Sequence, residues 1–286
     1  MRQLIWITAC VAMTLSCPLL AQSDEADDGS KQSRLLPLWD DWFVEQGIDL
    51  PMPFGLGLAG IYMDRDIEVT DVRVQFGDRP PQSISDTVDF DVRNRTGMIA
   101  ARADAWILPF LNVYVMGGRT QTDTRLNTRV EIPVPGPGDP IRRDISVDQE
   151  VAGPFLGIGT TLVVGHRDWF GMFDANYGEA DLDAYDGQLD IWMFSGRFGR
   201  LFESDLNRYM LWAGALYLDS ERTITLSEEL PLIGLTEVEV DQRPVDPLTW
   251  QLGMGVFVGQ NWHIVTEVGS NFDDALIIVA SGTYRF

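Results

Sequence analysis

From Phe54 onward, apolar residues recur at every second position, in segments of about ten residues broken by short stretches rich in Gly, Pro, Asp and Asn. The final stretch, DALIIVASGTYRF, is the plainest. Leu276, Ile278, Ala280, Gly282, Tyr284 and Phe286 share one face, and Ile277, Val279, Ser281, Thr283 and Arg285 share the other. LTWQLGMGVFVG repeats the pattern, with Trp250, Leu252, Met254, Val256 and Val258 opposed to Gln251, Gly253, Gly255 and Phe257. A period of two is the period of a β-strand, so the pattern predicts an all-β chain.

Alternation serves a soluble sandwich and a membrane barrel equally well, and the turns separate them. One set of breaks is short: LPF (108–110), GHRDW (165–169), GRLFESDLN (199–207) and GQNW (259–262). The second set alternates with the first and is on the whole longer and richer in Pro, Gly and acid: GDRPPQSIS (77–85), PVPGPGDPIRR (133–143), AYDGQ (184–188), LSEELPLIGLTE (226–237) and NFDD (271–274). Short periplasmic turns facing longer extracellular loops are the habit of outer-membrane barrels. The breaks divide 54–286 into ten strands. An even number closes an antiparallel up-and-down transmembrane barrel without a free edge. Eight or twelve strands are the alternatives, twelve if YMDRDIEV (62–69) is a hairpin. RTQTDTRLNTRVE (119–131) is polar on both faces, so its walls are expected to project beyond the lipid.

Aromatic residues crowd the short turns. Phe110, Trp169, Phe173 and Trp262, with Phe170, Phe198, Phe202, Tyr209 and Phe257, are expected to form the periplasmic girdle, because amphipathic rings favour the boundary of lipid and water. Trp106 and Tyr114 share parity with Asp104 and Asn112 and are expected to face inward.

Three segments follow. Residues 1–21 have one positive charge, Arg2, and an apolar run that fades at Ala21, the outline of a cleaved secretory signal. Cleavage there removes Cys10 and Cys17, so disulfides and cysteine metal sites are not expected. Residues 22–53 read as a periplasmic extension in which Leu38, Trp39, Trp42 and Phe43 share one side of a short amphipathic helix, with Asp40, Asp41 and Glu45 on the other. That helix would serve as a foot on the membrane or as a plug. Residues 54–286 are the barrel. The formal net charge of -22 argues against nucleic acid as a partner.

Two motifs carry a resemblance. The ending, with Tyr284 and Phe286 at alternate positions and Gly282 before them, resembles the C-terminal signal that the barrel assembly machinery reads in bacterial outer-membrane proteins. RADAWILPFLNVYVMGGRT (102–120) and LPMPFGLGLAGIYMDRD (50–66) are similar to the hallmark hairpin and the barrel entry of a largely uncharacterised family of outer-membrane barrel proteins. The resemblance implies location in a bacterial outer membrane and passage of a solute. It brings no catalytic residues.

The residues themselves offer little chemistry. His166 and His263 both fall at short turns, where a base would not reach substrates of the outer leaflet, so they are expected to be structural and the chain not an enzyme. DLDAYDGQLD (181–190) gathers carboxylates, but Tyr185 breaks the ligand spacing of a calcium loop; Asp181, Asp183 and Asp186 are only weak metal candidates, and no cofactor is expected. Alternation directs Arg102, Asp104, Asn112, Asp174, Asn176, Asp190, Gln251, Glu267 and Arg285 toward the lumen. In a narrow barrel such residues interlock, and in a wider one they line a path for water. The reading is therefore an outer-membrane barrel serving as a narrow solute pathway, with a closed structural or surface-interaction barrel as the alternative and an envelope-lipid enzyme behind both. Its expected partners are outer-membrane lipids, lipopolysaccharide and a small solute.

Overall fold

The computed structural model describes residues 36–38, 52–76, 80–83, 88–132, 141–183, 188–204, 207–220, 222–230 and 234–286. The strands are β1 (Phe54–Phe76), β2 (Gln82–Ser83), β3 (Val88–Leu108), β4 (Leu111–Ile132), β5 (Ile141–His166), β6 (Trp169–Asp181) and β7 (Gln188–Glu203). They continue with β8 (Asn207–Asp219), β9 (Arg222–Leu230), β10 (Gly234–Pro244), β11 (Leu248–Val258), β12 (Trp262–Ser270) and β13 (Ala275–Arg285). The signal segment, the bulk of the N-terminal extension and its expected helix lie outside the described residues; Leu38 N–H donates to the Ile107 carbonyl at 2.9 Å, beside the β3–β4 turn.

Ten strands close a ring in the order β1–β3–β4–β5–β6–β7–β8–β11–β12–β13, every neighbour antiparallel. β1 joins the ends by pairing with β3 on one edge and β13 on the other, from Gly55 opposite Arg285 to Arg65 opposite Ala275. Phe54 and Phe286 finish the seam by exchanging two backbone hydrogen bonds, 3.0 and 3.2 Å long. Closure leaves no ladder group facing lipid along the seam. The short turns are tight, and Arg167 and Gly259 adopt left-handed conformations in two of them, with φ of 55° and 61°.

The ten-strand count holds, because YMDRDIEV, the hairpin of the twelve-strand alternative, is continuous strand inside β1. One expectation is corrected: within LSEELPLIGLTE, residues 226–230 and 234–237 belong to a hairpin, β9–β10, rather than to an open loop. That hairpin continues the wall. β1, β3, β4 and β5 run for 21 to 26 residues, whereas β11, β12 and β13 have only 9 to 11. Above the end of β13 the edge of β1 would be bare, and β10 takes it, pairing Thr236–Pro244 with Ile67–Phe76. A register shift between Val69 and Asp71 reverses which residues face inward, so Val72 is buried where strict alternation would expose it.

The outward face is apolar over a limited height. Leu58, Ile99, Leu156, Val164 and Leu252 are all more than three-fifths exposed, which in water would make an aggregating surface and in a bilayer is the natural one. Aromatic rings bound this belt on both sides. Trp169 stacks on Phe198 (5.2 Å between centroids) and Trp262 meets Tyr284 edge-on (5.3 Å) at the short-turn end. Tyr177, Trp192, Phe194 and Tyr217 form a ladder across β6, β7 and β8 at the other end. Tyr209 and Tyr217 mark the two ends of β8. Eight residues at about 3.3 Å each, on strands tilted about 40°, set the two bands about 20 Å apart, close to the belt height of a membrane barrel. The fold is a ten-stranded antiparallel transmembrane barrel.

Candidate functional site

The inward faces of the strands meet in one polar network at the level of the belt. Glu267, on β12, is 4 % exposed. Its carboxylate accepts from Arg197 Nε (2.7 Å) and Nη2 (3.2 Å), from Trp212 Nε1 (2.7 Å) and from Gln251 Nε2 (2.7 Å). Arg197 also donates through Nη1 to Ser195 Oγ at 2.7 Å. Toward β1 a second carboxylate, Asp104, accepts from Asn112 Nδ2 (2.7 Å) and Arg285 Nη2 (2.8 Å), and Arg102 Nη2 donates to Asn112 Oδ1 at 3.1 Å. Asp174 is the third, accepting from the Tyr114 hydroxyl (2.9 Å), Thr161 Oγ1 (2.6 Å) and Asn176 Nδ2 (3.0 Å). The Arg102 guanidinium lies 3.7 Å over the Tyr114 ring and ties the second cluster to the third.

Several of these bonds join strands that are not neighbours. Arg197 on β7 reaches Glu267 on β12 past β8 and β11; Trp212 on β8 reaches it past β11. Tyr114 on β4 meets Asp174 on β6 past β5, and Arg285 on β13 meets Asp104 on β3 past β1. A side-chain bond that skips a strand on the inner face of a barrel runs as a chord through the lumen. Charge pairing is what makes burial of these groups tolerable, since a lone ion in this setting costs several kcal/mol.

Glycines make room for the large inward side chains. A Cβ on Gly253 would overlap the Trp212 ring, one on Gly159 the Tyr114 phenol, and one on Gly199 the Phe170 ring. Apolar layers flank the polar one. Phe170, Met210 and Trp212, with Met172, Leu201, Phe257 and Val265, pack at the short-turn end, and Val151, Phe155, Ala180 and Leu182, with Met98, Met116, Leu189 and Ile191, at the other.

Eight residues that alternation directs inward, Arg102, Asp104, Asn112, Asp174, Asn176, Gln251, Glu267 and Arg285, lie in this network. Asp190 does not. It sits on the outward face of β7 with Trp192, where it accepts from the Tyr177 hydroxyl at 2.8 Å, because the inward parity of that strand belongs to Ser195 and Arg197. Phe170 and Phe257 also depart from expectation and point into the lumen. Trp169, Phe173 and Trp262 are exposed on the outward face, Phe110 is half-buried at its turn, Gly282 and Tyr284 lie on the outward face of β13, and Phe286, just past its end, is exposed. His166 is exposed at the β5–β6 turn. His263 lies inside, stacked on Phe257 at 4.4 Å, with its buried Nε2 lacking a hydrogen-bond partner. Asp186 lies outside the described residues, among which no three His, Cys, Asp or Glu side chains gather as metal ligands.

Sequence reasoning missed Arg197 and Trp212. Arg197 was legible, because Phe194 and Phe198 fix the outward parity of its strand. Trp212 was not, since YMLWAGALYL is apolar on both faces and offers no alternation.

No family model matches the chain, and no curated protein matches it. Among solved structures it is similar to the transport unit of the autotransporter AIDA-I from Escherichia coli, at 7 % identity and a TM-score of 0.37 over 82 % of this chain and 90 % of that one. It is also similar to the toluene transporter TbuX of Ralstonia pickettii, at 10 % identity and a TM-score of 0.36 over 83 % and 90 % of the two chains. A FadL homologue of Pseudomonas aeruginosa gives 9 % and 0.34 over 82 % and 90 %.

Proposed function

We propose that this chain is an integral barrel of a bacterial outer membrane whose lumen is closed by an interlocked polar core, and whose work is done by the walls it raises above the lipid. The observation that carries this reading is the Arg197–Glu267 chord, a pair bonded at 2.7 and 3.2 Å across two intervening strands, with Trp212 and Gln251 completing the carboxylate's shell. A path for solute would have to part these bonds and leave charges unpaired in a narrow lumen, at several kcal/mol each. Export through a cleaved leader at 1–21, and insertion by the barrel assembly machinery reading Tyr284 and Phe286, belong to the same proposal.

A narrow solute pathway is the second reading. It is favoured by buried polar atoms without a hydrogen-bond partner, namely Asp104 Oδ2, Gln251 Oε1, Trp106 Nε1 and His263 Nε2, which call for water inside the core. Conductance of the purified barrel in a planar bilayer decides between the two. The closed core gives no conductance above the bare bilayer. Cation-selective conductance that weakens in Asp104→Asn and Glu267→Gln would replace this reading with the pathway, because carboxylates lining a pore draw cations.

A further inference from the structure

The β12–β13 turn displays a ring that the lumen and the seam do not use. Phe272 is 86 % exposed, more than any other large apolar side chain among the described residues, and its backbone is left-handed, with φ of 68°. A bulky side chain takes that conformation at a cost, and a phenyl ring left in water adds another. The turn nevertheless holds it there. Asn271 Oδ1 accepts from the backbone N–H groups of Asp273 (3.2 Å), Asp274 (3.1 Å) and Ala275 (2.9 Å), and Asn271 Nδ2 donates to Asp274 Oδ1. The N–H of Phe272 itself donates to Ser270 Oγ at 2.9 Å.

The height of the ring follows from the strand beneath it. Trp262, at the foot of β12, belongs to the short-turn girdle, and Ser270 is its last residue. Eight steps of about 3.3 Å on a strand tilted about 40° raise Ser270 about 20 Å, the separation of the two aromatic bands. Ser270 shares a cross-strand row with Trp250 and Leu276, both exposed on the outward face. Phe272, held by the Ser270 hydroxyl, therefore sits just above the edge of the apolar belt and on its lipid side.

The apolar rim continues beside it. Asp66 N–H donates to the Asp274 carbonyl at 3.3 Å, and Val245 N–H donates to the Asp66 carbonyl at 3.5 Å, so the half-exposed Val245 stands next to the turn. Asp273 and Asp246, in the same two connections, are exposed carboxylates. Apolar and charged side chains thus alternate over a few residues, which suits a boundary with acyl chains on one side and water on the other. The long strands β1, β3, β4 and β5 carry their ends well above this level, whereas β12 and β13, of 9 and 11 residues, stop at it.

We propose that Phe272 is a membrane anchor, its ring seated among the acyl chains at the edge of the leaflet and fixing the low side of the barrel mouth at headgroup level. This rests on the membrane placement proposed above. The lipid repays the exposed ring and the left-handed backbone, and the low side of the mouth cannot ride up or sink without pulling the ring out.

The test reads depth directly. In the full chain carrying Cys10→Ser and Cys17→Ser, a nitroxide is attached at Phe272→Cys, at Leu252→Cys in the belt and at Asn127→Cys on the raised wall, and the barrel is folded into phosphatidylcholine liposomes. Oxygen gathers in the acyl region and a nickel chelate stays in water, so the ratio of their collision rates at the label reports depth. The ratio at position 272 is expected to exceed that at 127 by at least about threefold and to approach that at 252. A label at 272 that matches the one at 127 overturns the proposal and gives the ring to a partner in water. A label at 252 read as aqueous overturns the membrane placement itself, and the anchor with it. Phe272→Asn supplies a second reading, because asparagine tolerates the left-handed backbone. If the ring is an anchor, the ratio of folded to unfolded barrel in the liposomes falls by at least about threefold despite the relieved backbone. An unchanged or higher ratio shows a strained turn and nothing more, and overturns the proposal.

Discussion

Replacing Glu267 by Gln tests the closed core at its most connected atom pair. The substitution keeps the shape of the side chain, so no cavity opens, but it removes the charge opposite Arg197 and turns one acceptor into a donor. Four donors converge on this carboxylate: Arg197 Nε and Nη2, Trp212 Nε1 and Gln251 Nε2, three of them at 2.7 Å. An amide can receive at its oxygen only, so at least one donor must face another donor. Arg197, whose side chain is 20 % exposed, keeps Ser195 as a neutral partner and no bonded counter-charge. Breaking a buried pair from one side costs about 3–5 kcal/mol. The expected outcome is therefore a loss of about that size in the unfolding free energy of the detergent- or bilayer-embedded barrel, followed by the shift between folded and unfolded bands in guanidinium. The double variant Glu267→Gln, Arg197→Met should recover a large part of the loss, since the stranded cation is then gone and only the desolvated amides remain. A single variant within about 1 kcal/mol of wild type, or a double variant that is the sum of the two singles, would mean that water already screens the pair and that the lumen is open.

Three further outcomes follow from the same geometry. Gly253→Ala places a methyl group against the Trp212 ring; Trp212 must leave Glu267, and a destabilisation of about 2 kcal/mol with a red-shifted tryptophan emission is expected, whereas unchanged emission would show that the ring has room. Tyr114→Phe removes one of the three donors to Asp174 and is expected to cost about 1–2 kcal/mol in the same unfolding assay, less than Glu267→Gln, because Thr161 and Asn176 still serve the carboxylate. Phe286→Asp is expected to lower the folded, membrane-inserted fraction sharply in cells, since Phe286 closes the seam with Phe54 and its ring stacks at 6.1 Å on that residue; unaltered insertion would make the terminal ring incidental.

The ring itself was legible because a membrane barrel writes its orientation into nearly every strand, β8 with its two apolar faces excepted: a side chain faces lipid or lumen, and a shift by one residue puts the wrong set in lipid. That pressure made the ten segments readable. It vanishes above the belt, where both faces meet water, and there the reading failed. The β9–β10 hairpin carries Thr, Ser and Glu with no lipid-facing set to mark it, so LSEELPLIGLTE looked like a loop. The acceptor edge that makes it a hairpin is supplied by β1, more than 150 residues earlier, and depends on how far β1 outruns β13. No local signal carries that difference in length.

Within the lumen, alternation tells which side chains face inward and is silent about which of them meet. Partnership depends on closure and stagger. Glu267 and Arg197 are 70 residues apart in sequence and three strands apart around the ring, and only the shear of the closed sheet brings them to one height. The same dependence explains Asp190. Alternation counted from its polar residues put Asp190 inward, but Phe194 and Phe198 must face lipid, and a strand has one parity unless a bulge intervenes. In this barrel the outward set is the more demanding constraint, since an ion misplaced into lipid finds no partner, whereas an inward one can be paired across the lumen. Inward positions are therefore better assigned by elimination from exposed aromatics and aliphatics than by the polarity of the inward residues themselves. Applied to β7, that rule exchanges Asp190 for Arg197 and places beside Glu267 the cation that alternation read from polar residues had left out.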